Sequence, residues 1–225
     1  LPLLTCALFG PPRLVVKPDV ASHLDELLTQ WTQDGTISGS VLIAQDGVVF
    51  LNEGYGLADR AQKIRNTPQT RFHLCSISKQ FTAMAILILQ SQGRLNVQDP
   101  ICEYMVSCLV AWQEITIHQL LTHTSGLSPR LDNIVERAAR DPKTPPDPAY
   151  FIEITGEKPL ETQPGERYAY SNFGYVLLAH IIEQASGQFY ADFLQENIFA
   201  PLNMLDSGYE DNSSGVAAGY TSGYD

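Results

Sequence analysis

Ser76 and Lys79 stand three residues apart at the head of an apolar run, Ser76-Ile-Ser-Lys-Gln-Phe-Thr-Ala-Met-Ala-Ile-Leu-Ile-Leu89. Residues three apart on a helix share a face, so the spacing sets the Lys79 amine beside the Ser76 hydroxyl. A lysine in apolar, partly desolvated surroundings can lose its proton and act as a base. A helix N-terminus favours an alkoxide, and its free N–H groups can bind a developing oxyanion. Together these are the requirements for nucleophilic catalysis without a histidine. A second cluster follows at Pro164-Gly-Glu-Arg-Tyr-Ala-Tyr-Ser-Asn172. A proline-glycine turn ahead of a helix start would present the Tyr170 phenol and the Asn172 amide from one corner. A phenol near an ammonium group has its pKa lowered and can shuttle protons. An amide can bond both a lysine and a substrate carbonyl. The alternative for Ser171 or Asn172 is simple capping of the next helix.

The elements that must hold these side chains can be read from periodicity. Leu24, Leu27, Leu28 and Trp31 fall on one face of a helix over residues 19–34. Two β-rich runs then flank Asp46-Gly47, a strong hairpin signal. Phe81, Met84, Ala85, Ile88 and Leu89 predict a largely buried helix from Ser76 to about residue 92, stopped by Gly93. A short helix is expected over 115–122, an irregular proline-rich loop over 141–148, and helices over 172–186 and 189–198. Gly187 closes the first of that last pair. The divisions expected are 1–18 as an N-terminal segment, 19–75 as helix and hairpin, 76–205 as a mostly helical part with the site, and 206–225 as a tail leading back toward the sheet. No internal repeat is present.

Bulk properties narrow the function classes. The 225 residues, 44% hydrophobic and 17% charged, can form a sizeable core. A net charge of −11 argues against nucleic acid and against an anionic membrane surface, since both need excess Lys and Arg. No apolar run is long enough for a transmembrane helix. Residues 1–10 are apolar, either a signal-peptide remnant or a segment packed on the body. Cys6, Cys75, Cys102 and Cys108 have no zinc spacing; Cys102 and Cys108 are either a local disulfide or buried free thiols. His23, His73, His118 and His180 show no metal-ligand spacing, and no metal or cofactor is expected.

Four stretches carry a family resemblance: Thr70 to Ala83, Gly93-Arg-Leu-Asn-Val-Gln-Asp-Pro100, Ile115 to Leu127 with Leu-Thr-His-Thr-Ser-Gly-Leu, and Pro164 to Asn172. In order and separation they resemble the serine β-lactamase and penicillin-binding protein superfamily, in its class C β-lactamase, DD-peptidase and family VIII esterase branch. The resemblance implies an α+β, β-lactamase/transpeptidase-like fold, with a helical domain and an antiparallel sheet flanked by helices. It implies Ser76 as nucleophile, Lys79 as base and proton relay, Tyr170 as partner base and Asn172 as substrate-binding amide. The Ser76 backbone N–H would form half of the oxyanion hole. The implied reaction is acyl transfer through an acyl-enzyme on a β-lactam, a D-amino peptide or a carboxylic ester, in the periplasm or outside the cell. His123, the histidine of Leu-Thr-His-Thr-Ser-Gly-Leu, is expected to be structural, because no G-x-S-x-G elbow accompanies it.

The chain departs from the family in one respect. It contains neither K-T-G nor H-x-G, the motif found on a late strand in family members. The C-terminal strands of the sheet are therefore expected to come from a further C-terminal portion or a second chain, and the 225 residues alone are expected to have little activity. The competing expectation is a non-turnover penicillin-recognising protein of the same fold, acylated without efficient release.

Overall fold

The computed structural model describes residues 18–105, 108–139, 143, 148–155, 159–209 and 215–220. The chain forms two compact units. Among the described residues, one comprises 18–73 with 215–220, and the other lies within 74–209.

In the first unit, helix α1 (Pro18–Gln33) buries Leu28 against Leu51 and Tyr55, with Leu24 packed beside them. Trp31, assigned by spacing to the same face, is 42% exposed and lies outside that cluster. Strands β1 (Gly39–Gln45) and β2 (Val48–Tyr55) pair antiparallel through the expected two-residue turn. Asp46 and Gly47 both take positive φ, as a type I′ turn requires. Strands β3 (Leu57–Asp59) and β4 (Ile64–Arg65) form a second two-stranded sheet. The returning chain adds a parallel bridge from Val216 to Arg71, and the Ala218 N–H donates to the Ala58 carbonyl.

The second unit is helical. A 3-10 turn, Cys75–Ser78, runs into α2 (Lys79–Ser91). Then come α3 (Ile117–Leu121), α4 (Pro129–Ala139), α5 (Pro148–Thr155), α6 (Asn172–Ser186) and α7 (Tyr190–Leu194), the last continued by a π-turn over Gln195–Phe199. Ile86 and Leu89 of α2 and Phe173, Leu177 and Ile181 of α6 share one core with Trp112, Ile101 and Phe193. Seven α-helices and two small antiparallel sheets among the described residues make this the α+β class expected.

Two details differ from the periodic reading. Ser76 lies in the tighter turn ahead of α2 rather than within it, and Met84 is 49% exposed. A 3.6-residue period does not distinguish an α-turn from a single 3-10 turn at a helix start. Helices α4 and α5 are absent from the expected elements, although Leu131, Ile134, Val135 and Ala138 of α4 have helical spacing. Cys102 and Cys108 form a disulfide, settling that alternative, and Cys75 is a free, exposed thiol. The apolar segment 1–10 and most of the proline-rich stretch 141–148 lie outside the described residues.

Candidate active site

The site is built where the turn before α2 meets the start of α6, wholly within the second unit. Cys75 has φ +48, so the chain reverses sharply and leaves Ser76 exposed at the turn. Lys79, the first residue of α2, is half-buried, and its Nζ donates to Ser76 Oγ at 3.5 Å and to Asn172 Oδ1 at 2.8 Å. Ser76 Oγ and the Tyr170 hydroxyl lie 2.7 Å apart. The Lys79 ammonium also stands 4.8 Å from the centre of the Tyr170 ring and 5.3 Å from that of Tyr175, within cation–π range of both. The structure thus brings together all four residues singled out by motif: Ser76, Lys79, Tyr170 and Asn172.

Tyr170 is delivered by a loop that lies along the turn after α3. Thr116 and Gln119 form a capping box that starts α3. After the helix, the carbonyls of His123, Thr124 and Gly126 accept from the N–H groups of Ala169, Gly165 and Glu161 at 2.8, 2.7 and 2.8 Å. His123 itself has φ +57 and Gly126 φ +76, which turns their carbonyls toward that loop. The His123 ring packs against Tyr170 and Tyr175, with centroids 4.6 and 5.1 Å away, and its Nδ1 accepts the Ser171 N–H at 3.1 Å. An acceptor Nδ1 places the ring hydrogen of the neutral form on Nε2. His123 is therefore a backbone and ring support for the corner, with no bond to Ser76.

Electrostatic influences at Tyr170 pull in both directions. Burial by itself would raise the phenol, but hydrogen bonding to Lys79 and Ser76 and the Lys79 charge outweigh it. The net result holds Tyr170 below the ordinary tyrosine range. The same Lys79 charge adds to burial in holding His123 below its usual value, against a smaller opposite pull from Asp132.

Ser171 caps α6, its Oγ accepting the Gly174 N–H at 3.0 Å. Capping and contact with Lys79 are divided among neighbours: Ser171 turns inward while Tyr170 and Asn172 face Lys79. Two side chains of α4 complete the surroundings, and neither was singled out by sequence. Glu136 Oε1 accepts from Asn172 Nδ2 at 3.4 Å. Asp132 accepts from Ser171 Oγ and from the Asn172 and Phe173 N–H groups at 3.1, 3.0 and 2.8 Å. No short motif marks them, because their contacts cross about 40 residues of chain. Among the described residues, no three His, Cys, Asp or Glu side chains converge to hold a metal.

The Beta-lactamase family model matches residues 20–225. This chain belongs to that family. Protein flp of Staphylococcus aureus strain MRSA252 is 32% identical over 204 residues, covering 87% of this chain and 40% of that protein. Among solved structures, a penicillin-binding protein from Bacillus halodurans superposes with a TM-score of 0.75 at 30% identity, covering 86% of this chain and 60% of that one. The D-amino acid amidase of Ochrobactrum anthropi SV3, solved with L-phenylalanine amide, gives 0.71 at 26% identity, covering 83% and 52%. The fold is thus that of the β-lactamase and penicillin-binding protein superfamily. The chain spans about two fifths of the length of the curated relatives it matches.

Proposed function

We propose that the chain carries the acylation machinery of a serine hydrolase, with Ser76 as nucleophile, Tyr170 as the immediate proton acceptor, Lys79 as the cation that sustains the phenolate and relays the proton, and Asn172 as the substrate-binding amide. The observation that carries this reading is the 2.7 Å contact between Ser76 Oγ and the Tyr170 hydroxyl, beside an ammonium group. Lys79 is farther from Ser76, at 3.5 Å. As the phenolate takes the hydroxyl proton, Oγ attacks the acyl carbon and the carbonyl electron pair moves onto oxygen, facing the Ser76 N–H. Collapse returns that pair, expels an amine or alkoxide that takes the proton from Tyr170, and leaves an ester on Ser76. Water then attacks that ester as Tyr170 takes its proton, and collapse breaks the bond to Oγ, returns the proton to Ser76 and releases the carboxylic acid. The substrates proposed are a β-lactam, a D-amino peptide or amide, and a carboxylic ester. A solved penicillin-binding protein and a D-amino acid amidase among the relatives support the first two.

Intact-mass spectrometry after fluorophosphonate or penicillin treatment tests the reading. An adduct on Ser76 is expected, absent from Ser76→Ala and formed about 10²–10⁴-fold more slowly by Tyr170→Phe, the range for a lost general base. A penicillin adduct that persists would mean recognition without turnover. No adduct with either reagent overturns the assignment. A chromogenic cephalosporin, a nitrophenyl ester and a D-amino acid amide, compared in parallel, then separate the substrate classes.

We further propose an exported protein and a sheet completed by additional polypeptide, either the rest of a longer chain or a second chain. The Cys102–Cys108 disulfide supports an oxidising compartment. A two-stranded β1–β2 sheet in a chain spanning two fifths of its relatives' length supports the completion. Peptide mapping without reductant should recover Cys102 linked to Cys108. Recovery of both as free thiols from freshly isolated protein would count against export.

A further inference from the structure

The first turn of α6 has more hydrogen-bond acceptors around it than a helix start needs. Four N–H groups at a helix N-terminus lack partners within the helix, and a capping side chain commonly satisfies one. Here every one from Ser171 to Gly174 has a side-chain acceptor: His123 Nδ1, both oxygens of Asp132, and Ser171 Oγ. Ser171 is a sufficient cap by itself. The additional acceptor is a carboxylate only 9% exposed, brought from another helix, and it binds Ser171, Asn172 and Phe173 in turn. Burying a charge is costly, and three hydrogen bonds with the positive end of α6 offset it. That expenditure falls on the short stretch from which Tyr170 and Asn172 both reach Lys79.

We propose that Asp132 is a positioning residue of the acyl transfer described above: its carboxylate clamps residues 171–173 so that Tyr170 and Asn172 address Lys79 together. The inference rests on the hydrolase reading for its chemistry, but the clamp itself is geometric. Against the phenol stand Lys79 from α2, Ser76 from the preceding turn and His123 from the turn after α3, with Tyr175 of α6 beside the same lysine, while Asp132 of α4 lies one residue along, on Ser171 and Asn172. Of these, Lys79 and Ser76 lower the phenol and Asp132 raises it. Asp132 thereby limits how far Lys79 can shift Tyr170.

The test is the rate of Ser76 labelling by a fluorophosphonate as a function of pH, with Asp132→Asn and Asp132→Glu. Asp132→Asn keeps the volume, removes the charge and turns an NH₂ group toward N–H donors. It should slow labelling by about 10- to 100-fold, the scale of a misplaced catalytic group. It should also move the rising limb of the profile to lower pH, because removing a carboxylate eases phenol ionisation. Asp132→Glu should slow labelling and leave the limb in place. A clamp without an electrostatic role would lower the rate and leave the limb of Asp132→Asn unmoved, which overturns the charge claim; a wild-type rate in either variant overturns the positioning claim. Should Asp132→Asn fail to fold by circular dichroism, Asp132→Glu decides by the same two readouts, a displaced limb or an undiminished rate overturning the proposal. Tyr170 ionisation, read as the ultraviolet difference against Tyr170→Phe in each background, should shift down in Asp132→Asn alone. That measurement stands even if Ser76 never labels, so failure of the hydrolase reading and failure of the charge claim are distinguishable.

Discussion

His123 illustrates how a side chain without a bond to the nucleophile can still set the conditions at the site. Its Nδ1 accepts the Ser171 N–H only while that nitrogen is unprotonated. Burial first, and the Lys79 charge second, hold its pKa below the ordinary value of 6.5. The unfolded chain therefore binds this proton more readily than the folded one, and stability increases with pH between the two values. The contribution is complete above about pH 6.5 and is lost as pH falls through that value toward the folded-state pKa. Thermal midpoints at about pH 7.5 and about pH 5.5 should differ in the wild type and differ less in His123→Gln. An equal difference in both proteins would assign the pH dependence to other groups.

Between α3 and α4, the turn over residues 123–126 shows what an element of few residues can position. Its three carbonyls hold the loop that leads to Tyr170. Gly126 has φ +76, and a Cβ there would meet the Thr162 carbonyl oxygen. Gly126→Ala should cost about 2 kcal/mol or more, combining left-handed strain with a backbone collision. For a chain of this length that lowers the melting midpoint by about 4–8 °C. Ser76 labelling should slow as well, since the displaced loop carries Tyr170; an unchanged midpoint in a melting scan would mean the turn yields freely. Elements of this kind divide into those legible in sequence and those that are not. Ser76 and Lys79 share a turn, Asp46-Gly47 closes its own hairpin, and Gly187 ends α6 in the left-handed conformation, all through neighbours a few residues apart. Helix α4 does carry a local signal, Leu131, Ile134, Val135 and Ala138 at helical spacing, of which Leu131 and Val135 reach the buried core. Its importance comes from Asp132 and Glu136, whose partners are set by tertiary packing and lie outside any window of local periodicity.

At the scale of the molecule, the bare hairpin has a consequence for behaviour in solution. Its inner face is covered by α1 through Leu28, Leu51 and Tyr55, while Leu42, Val48 and Val49 are 61%, 66% and 52% exposed. Strand edges beside exposed apolar side chains are templates for pairing with another copy. A net charge of −11 keeps copies apart at neutral pH, and salt weakens that repulsion by shortening its range. The isoelectric point is about 4.8, so acidification removes the repulsion altogether. Light scattering should therefore rise with added salt and as pH approaches 4.8, and Val48→Lys should suppress both increases. Scattering that stays flat under both changes would show that the hairpin does not seed association. A rise suppressed by Val48→Lys would mean that a long-range electrostatic barrier holds back an attraction concentrated in a few residues of one hairpin.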